Sequence, residues 1–125
     1  MWSFKDGFIT NEKGKVVDVS GGVDAENRNI IVWNKHGKIN QQWDVIYVDQ
    51  YPREPIKGEL NKDFGLFVER DFYIVSEMGK HRYLDLIGNR AMVIKTPNGR
   101  KTQTWYFDQR SMTIKTRLNN QSWDI

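Results

Sequence analysis

The chain has 125 residues, enough for one domain with a single modest core. Its 38% apolar content is poor in aliphatics but rich in rings, 13% of residues being Phe, Trp or Tyr. The absence of cysteine excludes a disulfide framework and a thiolate metal site and favours a cytosolic protein. No apolar run approaches about eighteen residues, which excludes a membrane-spanning helix, and Met1-Trp2-Ser3-Phe4-Lys5 reads as mature chain rather than as a leader.

Strand signals are short and separated by turn residues, and no amphipathic helical stretch exceeds two turns. Phe8-Ile9-Thr10 leads through the turn Asn11-Glu12-Lys13-Gly14 into Val16-Val17-Asp18-Val19. Ser20-Gly21-Gly22 breaks that strand, and residues 24–29 form a polar loop. Ile30-Ile31-Val32-Trp33 is the next strand, residues 34–37 a turn, and Gln41 to Val48 another strand. Residues 49–70, with Pro52, Pro55 and many charges, read as a surface excursion. Strands then recur at Phe72–Ser76, Tyr83–Leu86, Met92–Lys95, Gln103–Phe107, Met112–Thr116 and Ser122–Ile125.

These segments repeat one another in order. Phe8-Ile9, Tyr73-Ile74 and Thr113-Ile114 fill one slot. Val17-Asp18-Val19, Leu84-Asp85-Leu86 and Trp123-Asp124-Ile125 fill a second, and Gln41-Gln42-Trp43 and Gln103-Thr104-Trp105 a third. Asp85 and Asp124 lie 39 residues apart, but Asp18 and Asp85 lie 67 apart. An insertion of roughly 25 residues therefore separates the first two copies. Residues 1–7 read as the end of a preceding repeat, 8–49 as repeat one, 50–71 as the insertion, 72–109 as repeat two and 110–125 as the start of repeat three. Trp2 then stands where Trp43 and Trp105 stand, and the chain holds eleven strands of a three-times-four plan. The third strand of repeat three is the one missing. A sheet edge left open in this way favours a chain that is part of a longer protein, or one that pairs with a strand from another copy or segment.

Copies of about forty residues that end in Q-x-W and carry a central apolar-Asp-apolar strand resemble the ricin B-type (R-type) lectin domain. The resemblance spans nearly the whole chain outside the insertion. It implies an all-β fold, the β-trefoil, in which six strands close a short barrel and three hairpins cap one end. It also implies core roles for the Q-x-W tryptophans, and for each Gln a role in satisfying the backbone of a turn.

The same resemblance implies how a galactose-type sugar would be held. An Asp of the central strand accepts from two hydroxyls, an aromatic at the end of the next strand stacks on the ring, and an Asn and a Gln before the Trp donate or hold the Asp. Matched onto repeat one these are Asp18, Trp33, Asn40 and Gln41, with Gly21 and Gly22 letting the backbone turn close by and His36 within reach in the next loop. Ile31 stands where the family often has Gln. Repeat two keeps Asp85 but has Lys95 and Thr102 in place of Trp33 and Asn40, so no neutral-sugar site is expected there; in repeat three, Asp124 remains without the strand that would carry the aromatic.

The expected function is carbohydrate binding, with galactose or N-acetylgalactosamine as the ligand class and no cofactor. The alternative is a trefoil that serves as a structural or protein/polyanion interaction module. Its warrant is the charge distribution: residues 79–125 carry nine Lys or Arg against three Asp or Glu. Catalysis finds no support in two separated histidines, His36 and His81, no thiol and no glycine-rich phosphate loop, and neither a metal nor nucleic acid is expected as a partner.

Overall fold

A computed structural model describes residues 2–48, 60–87 and 91–122. Met1, the first part of the insertion, Trp123, Asp124 and Ile125 lie outside the described residues, and with them the repeat-three site position. The described chain is all β apart from three short 3-10 turns, and none of its helices is long and apolar enough to cross a membrane.

Twelve strands are described: β1 (Trp2–Lys5), β2 (Phe8–Asn11), β3 (Val16–Val19), β4 (Arg28–Trp33), β5 (Trp43–Tyr47), β6 (Leu60–Asn61), β7 (Leu66–Phe67), β8 (Asp71–Ser76), β9 (Tyr83–Ile87), β10 (Ala91–Lys95), β11 (Trp105–Asp108) and β12 (Thr113–Thr116). Neighbouring strands pair antiparallel in the order β1-β2-β3-β4-β10-β9-β8-β11-β12, with β5 on β8 and β6 with β7 apart. Repeats one and two each contribute one hairpin, β3–β4 and β9–β10, and the two hairpins meet where Val93 pairs with Asn29.

The slots aligned in sequence are equivalent in burial. Ile9, Ile74 and Ile114 are all in the core, and so are Trp43 and Trp105. Each tryptophan sends its indole N–H to the carbonyl just before the repeat's Asp: Trp43 Nε1 to Val17 O at 3.1 Å, Trp105 Nε1 to Leu84 O at 3.4 Å. A buried indole needs such an acceptor. This ties the Q-x-W motif to the apolar-Asp-apolar strand of its own repeat.

Three expectations are corrected. Gln41 and Gln103 do not begin strands; they close 3-10 turns, Ile39–Gln41 and Lys101–Gln103, because each side chain bonds the backbone of the preceding loop and draws the chain into a tight turn. Trp2 is only half-buried and packs at the margin of the core, since β1 pairs with β2 alone. The described part of the insertion is no surface excursion. Its hairpin β6–β7 turns at Asn61, whose Oδ1 accepts from the N–H groups of Asp63 and Phe64, and at Gly65, whose φ of +70° is left-handed. Phe64 and Leu66 then enter the core, with the Phe64 ring 5.0 Å from that of Phe107. Phe4 N donates to Phe64 O at 2.7 Å and Glu69 N to Phe107 O at 3.0 Å, so the insertion is stitched to both β1 and β11.

Candidate functional site

Repeat one opens a pocket of about 450 Å³ between the end of its hairpin and the loop that follows. That volume is within the usual range for small-ligand sites. Strand register builds its floor. Asp18 on β3 lies opposite Ile31 on β4, and Trp33 follows two residues later on the same face. Asp18, Ile31 and Trp33 therefore face one space.

Asp18 is 3% exposed, and neutral amides hold it from two sides. Asn40 Nδ2 donates to Oδ1 at 2.9 Å and to Val19 O at 3.2 Å; Gln41 Nε2 donates to Oδ2 at 2.8 Å. Each carboxylate oxygen keeps further acceptor capacity beyond its amide bond, and Asp18 is among the residues that line the pocket. Trp33 is the opposite case: at 56% exposure it is the most exposed large apolar side chain of the described residues. The informative member of this pairing is the buried, oriented carboxylate, and beside it the Trp33 ring offers a broad apolar face to solvent.

Gln41 does not line the pocket. It is fully buried and fixes the geometry from beneath. Its Nε2 also donates to Asn34 O at 2.8 Å, while Oε1 accepts from His36 N at 2.9 Å and Gly37 N at 3.1 Å. One side chain thereby fastens the 34–37 loop to the carboxylate. His36, a turn residue in sequence, is placed in the pocket wall with Nε2 3.6 Å from Asp18 Oδ2. Its Nδ1 accepts from Lys38 N at 3.0 Å, so the neutral ring carries its proton on Nε2, the side facing Asp18.

The Ser20–Gly22 turn forms the opposite wall, held by Arg28 Nε on Ser20 O at 2.6 Å. Gly21 and Gly22 have φ of +69° and +67°, and a Cβ on Gly22 would stand 3.7 Å from the Asn40 amide carbon. Two side chains here would strain the turn and narrow the pocket beside Asn40. Lys38 completes the rim. Sequence reasoning passed over Lys38, since nothing in its neighbourhood distinguished it from other surface lysines.

Repeat two preserves the frame and replaces the surface. Gln103 Nε2 donates to Asp85 Oδ2 and to Thr96 O, both at 3.0 Å, and Oε1 accepts from Asn98 N at 3.0 Å. These bonds are the counterparts of those Gln41 makes. Lys95 occupies the strand position of Trp33 and offers no ring face. A larger cleft, about 860 Å³, lies by β11 and β12, where several charged groups in and beside it are paired. Arg117 covers the Tyr106 ring at 3.7 Å and pairs with Asp71 at 2.5 Å. The Lys115 ammonium, 2.5 Å from Asp108, donates to that carboxylate and holds its pKa below the ordinary range, as Asp108 raises that of Lys115. Among the described residues no three His, Cys, Asp or Glu side chains are placed to hold a metal ion.

No protein-family model and no curated protein matches the chain. Among solved structures it is similar to the designed 3-fold symmetric protein ThreeFoil, with a TM-score of 0.60 and 18% identity over 87% of this chain and 69% of that one. At that identity the likeness speaks for architecture, and with the near absence of helix it establishes the fold: an all-β chain built as a β-trefoil.

Proposed function

We propose that the chain is a carbohydrate-binding module of the ricin B-like lectin kind, with a galactose-type site in repeat one. The observation that carries this reading is the pairing of a buried Asp18, oriented by Asn40 and Gln41, with the exposed face of Trp33 across one pocket. Asp18 accepts from two vicinal hydroxyls, His36 Nε2–H donates to one of them, and the apolar face of the sugar ring lies on Trp33. Nothing in this constellation is arranged for bond making, and the module is read as a binder and not an enzyme.

A single site of this kind binds weakly. About twelve non-hydrogen atoms of a hexose, at roughly 0.3 kcal/mol each, give about 3.6 kcal/mol and a Kd on the order of a millimolar. Useful strength then comes from several sites, in tandem or in assembled copies. The alternative, a protein or polyanion interaction module, draws on Lys95, Arg100, Lys101 and Arg110, cations without ion pairs among the described residues.

Calorimetric titration with galactose, lactose and N-acetylgalactosamine, on the wild type and on Asp18→Asn, tests the proposal. Millimolar binding that is indifferent to salt and absent from the variant supports it. Binding confined to polyanions and lost at moderate salt overturns it in favour of the alternative.

A further inference from the structure

We infer that the repeat-one pocket takes a galactose-type sugar carrying an anionic substituent, a sulfate or a carboxylate, with Lys38 as its counter-ion. The inference rests on the sugar-binding reading and adds the charge class of the ligand to it.

Lys38 is the cation among the residues that line this pocket, and the neighbouring Lys15, Arg28 and Lys35 are engaged elsewhere. Lys15 Nζ donates to Asn34 Oδ1, Arg28 Nε donates to Ser20 O at 2.6 Å, and Lys35 Nζ sits 4.2 Å above the Phe8 ring. Lys38 lines the pocket, is exposed, and makes no ion pair among the described residues. Its backbone, in contrast, is fixed on both sides. The N–H donates to His36 Nδ1 at 3.0 Å and the C=O accepts from Gln41 N at 3.0 Å. Lys38 is thus mounted on the same frame that orients Asp18, with only its side chain left to move.

A neutral hexose gives such a cation little to do. Its hydroxyls are served by Asp18 and His36 and its apolar face by Trp33, whereas an ammonium is a point charge with three donors and no acceptor. Nor does Asp18 need it, since both carboxylate oxygens already accept from amides. The arrangement suits a ligand whose hydroxyls meet Asp18 and whose negative charge is met by Lys38 on the rim of the same pocket. Repeat two keeps a cation in the same slot. Arg100 also precedes a 3-10 turn, and its C=O accepts from Gln103 N at 3.1 Å.

The test is to measure the affinities of the wild type and Lys38→Met for galactose, galactose 3-sulfate, galactose 6-sulfate and galacturonic acid, at low and high salt. The wild type is expected to favour at least one anionic sugar over galactose by roughly two- to fivefold. That preference should shrink with salt and disappear in Lys38→Met. A preference for a sulfate alone, or for the carboxylate alone, supports the inference and names the group. Equal affinities for all four sugars in the wild type, or a preference that survives Lys38→Met, overturns the inference and leaves the neutral-sugar site standing. Failure to bind any of the four overturns both.

Discussion

Replacing Gln41 by Met removes four hydrogen bonds while nearly conserving volume, which makes it a direct probe of how the site is held. Three of those bonds join the side chain to neutral backbone groups of residues 34–37, at about 1 kcal/mol net each, and the fourth reaches the Asp18 carboxylate, at roughly 1.5–3 kcal/mol. The loop groups can turn to water once released, but the Asp18 oxygen, 3% exposed as a residue, has little water to turn to. The expected net loss is about 4.5–6 kcal/mol, a large share of the roughly 5–15 kcal/mol typical of a domain. It corresponds to a fall in Tm of about 20 °C. Urea unfolding at a common m-value measures it. Gln103→Met, which removes three bonds in repeat two, should cost somewhat less and leave sugar affinity alone, whereas Gln41→Met should weaken both stability and binding. A Gln41→Met protein within about 1 kcal/mol of the wild type would refute the view that this side chain organises the site.

Further outcomes follow from other parts of the molecule. Leu66→Ala should cost about 2–5 kcal/mol by denaturant unfolding, because Leu66 is 1% exposed in the core although it belongs to the insertion; a change below 1 kcal/mol would mean the hairpin is dispensable. Gly65→Ala should also destabilise, since its φ is +70° and an added Cβ would collide with the Phe4 carbonyl oxygen. Glu26 accepts from the Thr96 hydroxyl and backbone N–H, each at 2.7 Å, and from Arg82 Nε at 3.1 Å, which hold its pKa below the ordinary glutamate value. Its folded pKa being depressed, its contribution is fully present above the unfolded value of about 4.3 and is lost as pH falls through the folded value. The stability gap between wild type and Glu26→Gln should therefore narrow below about pH 4, and a gap that stayed constant with pH would contradict the assignment.

How far the sequence disclosed this structure depends on the kind of signal each residue left. The hairpin strands were legible because Val16–Val19 and Tyr83–Leu86 are short apolar runs bounded by turn residues. The repeat was legible because Asp18 and Asp85, like Trp43 and Trp105, recur in order, and their shared bonds supply the physical reason. The tight turns at Gln41 and Gln103 were not, since a glutamine bonded to a loop several residues back looks in sequence like any polar residue before a strand. Phe64 and Leu66 were hidden by composition. Charges and prolines nearby pointed to the surface, although Asn61 and Gly65, with Leu66 and Phe67 following, were a turn signal that could have been read. At the site, the resemblance to R-type lectins implied Asp18, Trp33, Asn40 and Gln41, of which Gln41 lies beneath the pocket and not in its lining. Only the three-dimensional arrangement gives the Nε2 proton of His36 its direction and sets Lys38 on the pocket rim with no ion pair among the described residues.

The most direct test of the sugar site is a tryptophan fluorescence titration with galactose, lactose and N-acetylgalactosamine, run on the wild type and on Trp33→Ala. Trp33 is 56% exposed while Trp43 and Trp105 are buried, so a ring laid on Trp33 should change the emission of that residue above all. The account predicts a saturable change in the wild type, on a millimolar scale, that is absent from the folded variant. A flat response to all three sugars from folded wild-type protein, or an unchanged response after Trp33→Ala, would contradict it.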